Sequence, residues 1–464
     1  MKRTNWMKMV AAGAMCALTA AAGAQDLGVK APKQTVPIVI DNATIHTVSG
    51  EVIVRGHVVL NDGKINEVGA GSAPSLASKH VIYIDAKGKH VYPGLVSANT
   101  LMGVTEIGSI DVTQDYAEMG TVTPEAKVAV AVNPDSTIIP VTRSNGILTA
   151  AVLPMGGVIP GHAAVLRMDG WTWEDLSLEP DAGLMINWPS MRTFRAPWMR
   201  TSEEDQQSRV REQVERIDSV FDDAVAYFAS VDADANIADD LRYDGMRAVL
   251  DGGKPVFIRA GQREQIESAV LWAVGRGLRP VIVGGADAEE CAALLKRHDV
   301  GVIITGTLSE PSRRDDAYDA PFTLPARLEA AGIRWCLAGP GGSFETPHER
   351  NLPYHAAMAV AYGLDHDRAI EAITLSAAEM LGVADRVGSI EVGKNATLIV
   401  TDGDPLEITT NVELAFIEGR AIDLGNKQTA LAEKYREKYR QLGLIEGEAE
   451  GAESHGGSGV PVSR

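Results

Sequence analysis

Two histidines at alternate positions of one strand can clasp a zinc ion, because side chains two residues apart leave a strand on the same face. None of the ten histidines in this chain lies two residues from another. The chemistry-bearing residues are polar groups scattered through turn-rich contexts. Arg143-Ser144-Asn145-Gly146, followed by Met155-Gly156-Gly157-Val158-Ile159-Pro160-Gly161-His162, reads as a Gly-rich loop carrying one imidazole. Such a loop either caps a pocket and turns backbone N–H groups toward an anion, or connects two elements with His162 hydrogen-bonded or in solvent. Arg259, in PVFIRAG, has a sharper pair of roles: bidentate capture of a carboxylate or phosphate, or an internal ion pair with Glu106 or Asp115. His348 and His355 flank Arg350-Asn351-Leu352-Pro353, and Pro353 should start a helix between them, which argues against a shared metal site. Trp171 and Trp173 suit a sugar-stacking pair, although alternate aromatics on a short strand more often pack. Ser97 has no local base and no G-x-S-x-G context, so a serine hydrolase is not supported.

The elements that must position these groups are legible from rhythm. From Val36 to Val91, short β-branched runs alternate apolar and polar residues, and Asp62-Gly63 signals a hairpin, so a small antiparallel sheet is expected. After Pro93-Gly94 buried strands alternate with helical patterns, which implies parallel strands and crossover helices. Seven barrel strands stand out at 92–99, 147–154, 182–188, 255–261, 279–285, 300–306 and 333–339, with a long helical insert in 200–250. Residues 388–406 and 411–422 return to short strands and tight turns, as though the chain came back to complete the first sheet. The expected organisation is a composite β-sandwich from 36–92 plus 388–425, a barrel at 93–387, and a C-terminal helix (427–444) with a disordered tail, together 426–464.

With 464 residues, 45% hydrophobic and 23% charged, the composition is that of a globular chain with a large core. The formal net charge of −19 repels phosphate backbones, so nucleic acid is not an expected partner. Lys2, Arg3 and Lys8, an apolar run from Met9 to Ala22, and the small residues before Gln25 form a secretory signal over 1–24, cleaved near Ala24. Its removal takes three positive charges, leaving a mature chain at −22 that is secreted or periplasmic. No later apolar stretch is long enough to span a bilayer. Cys291 and Cys336 remain, too few for a disulfide framework, and are expected as two core thiols or, as the lesser alternative, one bridge. No interface is legible, and base rates favour a homodimer.

One stretch is far more specific than the rest. VYPGLVSANTLMG, a barrel, and then TLSAAEMLGVADRVGSIEVGKNATLIVTDGDPL together resemble the amidohydrolase superfamily, in particular its imidazolonepropionase-like branch. The resemblance covers residues 36 to 425. It implies a (β/α)8 TIM-type barrel with a composite β-sandwich built from both chain ends, and hydrolysis of cyclic amide-type C–N bonds with zinc or another divalent metal. It also implies a first strand ending in D-x-H-x-H. Here Ser97, Asn99 and Leu101 stand at those positions, and further ligand positions fall at Arg259, Gly285 and Gly339. An Arg repels a divalent ion, so no metal or other cofactor is expected.

Active sites of such barrels sit at the C-terminal ends of the strands. Candidate proton carriers there are His162 and Glu106; candidate ligand-binding groups are Asn99, Arg143, Asn145, Asn187 and Arg259. Two functions compete: a C–N hydrolase with an altered, metal-free site, and a non-catalytic protein of assembly or small-molecule binding, the small molecule being anionic.

Overall fold

The computed structural model describes residues 25–26, 28–193, 198, 201–234 and 236–445. The expected signal segment and the acidic tail lie outside the described residues. The N-terminal strands are β1 (Ile38–Ile45), β2 (Ile53–Asn61), β3 (Lys64–Ala70), β4 (Ile82–Asp85) and β5 (His90–Pro93). Asp62 and Gly63 both have positive φ (50° and 75°), the geometry that lets two residues close the β2–β3 hairpin in step with strand twist. After the barrel come β14 (Leu398–Thr401), β15 (Val412–Ile417) and β16 (Arg420–Ala421), which complete the same sheet in the order β16-β15-β14-β5-β1-β2-β3. β1 is bulged between Ile40 and Ala43; it pairs β4 through Ile38–Asp41 and β5 through Thr44–Ile45. A TIM-type barrel plus a composite β-domain from both chain ends is therefore the architecture.

The second sheet carries β6 (Leu95–Thr100), β7 (Ile147–Val152), β8 (Gly161–Arg167), β9 (Ser177–Asn187), β10 (Val256–Ala260), β11 (Pro280–Gly284), β12 (Gly301–Thr305) and β13 (Trp335–Ala338), in chain order. All seven expected strands are present. The eighth, β8, falls where the sequence suggested the end of a Gly-rich loop, and it runs antiparallel to both neighbours. Its HAAVLR run has strand-like composition, but the glycines before it masked where the strand begins.

One apolar cluster draws residues from all eight strands, among them Val96, Ala151, Val165, Met185, Phe257, Val283, Ile303 and Cys336, and so marks the barrel interior. Six helices bear on the site and the surface: α1 (Ile138–Arg143), α2 (Glu203–Ala233), α3 (Arg263–Gly275), α4 (Leu352–Ala361), α5 (Leu375–Met380) and α6 (Lys427–Gln441). Ala377, Ala378 and Met380 of α5 join the interior cluster and plug the barrel. Outside it, Ile217 and Phe221 of α2 and Ile266 and Val270 of α3 belong to a second, larger apolar cluster, and Phe221 meets Trp272 edge-on at 5.0 Å. Cys291 and Cys336 are both buried free thiols.

A buried carboxylate joins the two sheets. Asp169, 2% exposed, accepts from Arg143 Nη1 (3.1 Å), Arg420 Nη1 (2.7 Å) and the Ala31 backbone N–H (3.2 Å). It thereby ties α1, β16 and the N-terminal segment to the turn after β8. Removing one member of such a cluster leaves uncompensated buried charge. Asp169→Ala should lower unfolding free energy by about 3–5 kcal/mol, read from the urea midpoint, and the double change Asp169→Ala/Arg420→Met should recover part of that loss.

Candidate active site

The barrel closes through side chains as well as backbone. No strand ladder joins β6 to β13 among the described residues. Instead, Val96 N–H donates to Ile373 O (2.8 Å), Ser97 Oγ to Glu349 Oε1 (2.6 Å), Asn99 Nδ2 to Gly339 O (3.2 Å), and Leu101 N–H to Thr346 Oγ1 (3.3 Å). Val96 and Ala98 belong to the interior cluster, whereas Ser97, Asn99 and Leu101 make their contacts with residues 339–349. Gly341 lies directly on Asn99. A Cβ there would stand 2.0 Å from Asn99 Nδ2, and its φ of +75° already favours glycine.

Glu349 went unnoticed in the sequence. It enters from the 3₁₀ turn Thr346–Asn351, 4% exposed, with its carboxylate against Gly339, where a Cβ would meet Oε1 at 2.8 Å. Burial pushes its pKa up to about 7, against the opposing pull of the Ser97 and Thr100 hydroxyls. The carboxyl thus sits at Gly339, the position where the family pattern implies a strand-borne Asp, but it comes from ten residues further along the chain.

Of the residues singled out from the sequence, Arg259 alone combines a place at the mouth with an uncommitted charge. It shares its face of β10 with Phe257, which is in the interior cluster. Its guanidinium reaches across to the end of β7, where Nη2 donates to Leu153 O (3.0 Å); Nε is buried without a partner among the described residues. Neither Glu106 nor Asp115 pairs with it, and burial alone pulls its pKa down to about 10. Asn187, in register with Arg259, donates to Gly156 O (3.2 Å) and Gly157 O (3.0 Å) and leaves a buried Oδ1 without a partner among the described residues.

The other candidates have partners within the fold, although His162 Nε2 is buried without one among the described residues. His162 is fully buried on β8, on the face opposite Ala163, with Nδ1 2.8 Å from Asp181 Oδ1. Asp181 is held at about 2 despite burial, by the hydrogen bond to His162 and by Lys254. Glu106 accepts from Asn133 (3.4 Å), and burial raises its pKa. Arg143 belongs to the Asp169 cluster, and Asn145 Nδ2 donates to Arg350 O (2.6 Å). Gly285 turns at a φ of +65° beyond β11. His355 accepts two backbone N–H groups after β12, from Thr307 (3.0 Å) and Leu308 (3.2 Å), and burial lowers its pKa to about 4; Pro353 begins α4 between it and His348, as the sequence implied. No cluster of three or more His, Cys, Asp or Glu side chains among the described residues is arranged to hold a metal ion.

The amidohydrolase family model matches residues 338–424. An amidohydrolase of Hapsidospora irregularis is 22% identical over 403 residues, 79% of this chain and 40% of that protein. The imidazolonepropionase of Maricaulis maris is 28% identical over 176 residues, 38% of this chain and 42% of that enzyme. The matches thus span about two fifths of the length of these curated relatives. Among solved structures, an amidohydrolase from Thermotoga maritima superposes with a TM-score of 0.72 at 22% identity, over 83% of this chain and 99% of that one; the likeness is one of fold.

The Glu349 carboxyl makes stability depend on pH in a definite direction. Its ordinary value of 4.5 applies to the unfolded chain and about 7 to the folded one, so its contribution is full below about pH 4.5 and lost as pH rises through 7. Glu349→Gln should flatten the stability–pH curve in that window, removing a decline on the order of 3 kcal/mol, as measured by urea unfolding in steps of pH. Gly341→Ala should cost more than about 2 kcal/mol by the same measurement, because Asn99 cannot move without breaking the seam.

Proposed function

The chain belongs to the amidohydrolase superfamily, in its imidazolonepropionase-like branch, and from that premise we propose that it is an exported member whose barrel mouth binds an anionic small molecule through Arg259. In this reading it does not hold a divalent metal through strand-borne ligands. The observation that carries the reading is the guanidinium at the mouth: its Nη2 has one carbonyl partner and its Nε is buried without a partner among the described residues, and a carboxylate or phosphate in front of Nε would supply the missing acceptor.

The donor chemistry points the same way. Asn99, Leu101, Arg259, Gly285 and Gly339 offer neither imidazole nor carboxylate at the family's ligand positions, and the backbone at Gly341 fills the space over Asn99. These residues do not fit a divalent ion. A second reading, hydrolysis of a cyclic amide-type C–N bond, is favoured by one observation: Glu349 holds a carboxyl that can exchange a proton near neutral pH. Export rests on the basic start and apolar run of residues 1–24.

A panel of small carboxylates, phosphates and cyclic amides separates the readings. Binding should raise the melting temperature of the wild type without consumption of the ligand, a stabilisation of about 2.7 kcal/mol at a hundredfold excess over Kd. Arg259→Met should abolish that shift while leaving the unliganded protein as stable or more so. Turnover of a cyclic amide that Glu349→Gln eliminates would favour the hydrolase instead. One equivalent of metal retained after dialysis would overturn both metal-free readings. Expressed in an exporting bacterial host, the mature protein should begin close to Gln25 on N-terminal sequencing.

A further inference from the structure

Helix α6 is anomalous. It has a well-formed start, with Asn426 and Thr429 capping reciprocally, yet none of its fifteen residues is buried. Isolated helices of that length are marginal in water, and most helical stability in proteins comes from packing one face. An apolar stripe runs along it at helical spacing: Leu431 (41% exposed), Tyr435 (49%), Tyr439 (44%) and, just past its end, Leu442 (59%). Beside the stripe Lys427, Lys434 and Lys438 recur at seven and four residues. The helix carries five basic and two acidic side chains, net +3, in a chain of net −19. Both carboxylates are already paired within it, Glu433 with Arg436 and Glu437 with Arg440.

The complementary surface is the barrel insert. Helix α2 spans 31 residues, about 46 Å at 1.5 Å per residue, and carries nine acidic against three basic side chains, net −6. Only its Ile217, Phe221, Ala224 and Phe228 side is buried. Glu212, Glu215 and Asp223 are exposed and enter no ion pair among the described residues, and Val225, 53% exposed, lies beyond them with Ala226 and Ala229.

We propose that the exposed face of α6 docks on the acidic, solvent-facing side of α2 in a second copy of this chain, reciprocally, to give a two-fold dimer. Lys427, Lys434 and Lys438 then face Glu212, Glu215 and Asp223, while Leu431, Tyr435 and Tyr439 cover the small apolar residues of α2. Pairing α6 with its own counterpart would set two net-positive helices side by side, which the charge pattern opposes. The contact is independent of the Arg259 reading.

Sedimentation equilibrium of the purified mature chain tests this at 20 mM and 500 mM salt. A dimer is expected at low salt, weakening about tenfold or more at high salt because the facing charges are exposed. The variant Leu431→Ser/Tyr435→Ser/Tyr439→Ser should be monomeric, with unchanged circular dichroism outside a small helical loss, since none of these side chains is buried within the chain. Glu212→Lys/Glu215→Lys/Asp223→Lys should also be monomeric. Adding Lys427→Glu/Lys434→Glu/Lys438→Glu to that variant should restore the dimer by exchanging the charges. A wild type that stays monomeric, a dimer that survives either set of changes, or failure of the charge exchange to restore it would each overturn the proposal.

Discussion

An eight-stranded barrel must close, and here the seam between β6 and the segment after β13 is the constraint on which the site depends. Backbone ladders join neighbouring strands from β6 round to β13, but among the described residues none crosses the gap between those two. The gap is bridged by four hydrogen bonds from Val96, Ser97, Asn99 and Leu101 to residues 339–373, with Glu349 at the centre. Side-chain hydrogen bonds inside a dry seam are strong only when each member is satisfied. The Ser97–Glu349 contact meets that condition at 2.6 Å, at the cost of a carboxyl that is uncomfortable as an anion.

This closure decides what β6 can do. The face that in the family pattern would present ligands is spent on holding the loop 339–349, and the backbone at Gly341 stands where a ligand's partner ion would need room. A small amide and a hydroxyl are sufficient for a seam, and the room beside that amide is so narrow that a Cβ on residue 341 would stand 2.0 Å from Asn99 Nδ2. The seam is one packing solution, in which the Glu349 carboxylate takes the volume next to Gly339.

Much of the architecture was legible because it is written in local periodicity. Asp62-Gly63, the seven parallel-type strands and the α2 insert all depend on residues close in sequence, where alternation and turn chemistry act directly. The site was legible only where a single residue type carried the signal. Arg259 could be singled out since a guanidinium on a buried strand always needs an acceptor. Glu349 could not, because its environment comes from Ser97, 252 residues away, and a Glu in a polar turn reads as solvent-exposed. His162 misled for the opposite reason: glycines upstream suggested a loop, while the partner that fixes it, Asp181, lies on the next strand.

The electrostatics of the whole chain sharpen the meaning of that one cation. A protein of net −19 repels small anions at long range, so its bulk charge does nothing to bring an anionic ligand to the mouth. Screening by salt at a Debye length near ~10 Å removes most of that repulsion, while a guanidinium buried at the strand ends is screened far less. Affinity at such a site must therefore come from short-range geometry, the Nε and Nη donors facing one acceptor pair, rather than from steering. A scaffold needing only packing at that position would be better served by Met or Leu, which fill a similar volume without the desolvation cost of a charge. Arg259 Nε, buried without a partner among the described residues, carries a desolvation cost that packing alone does not offset.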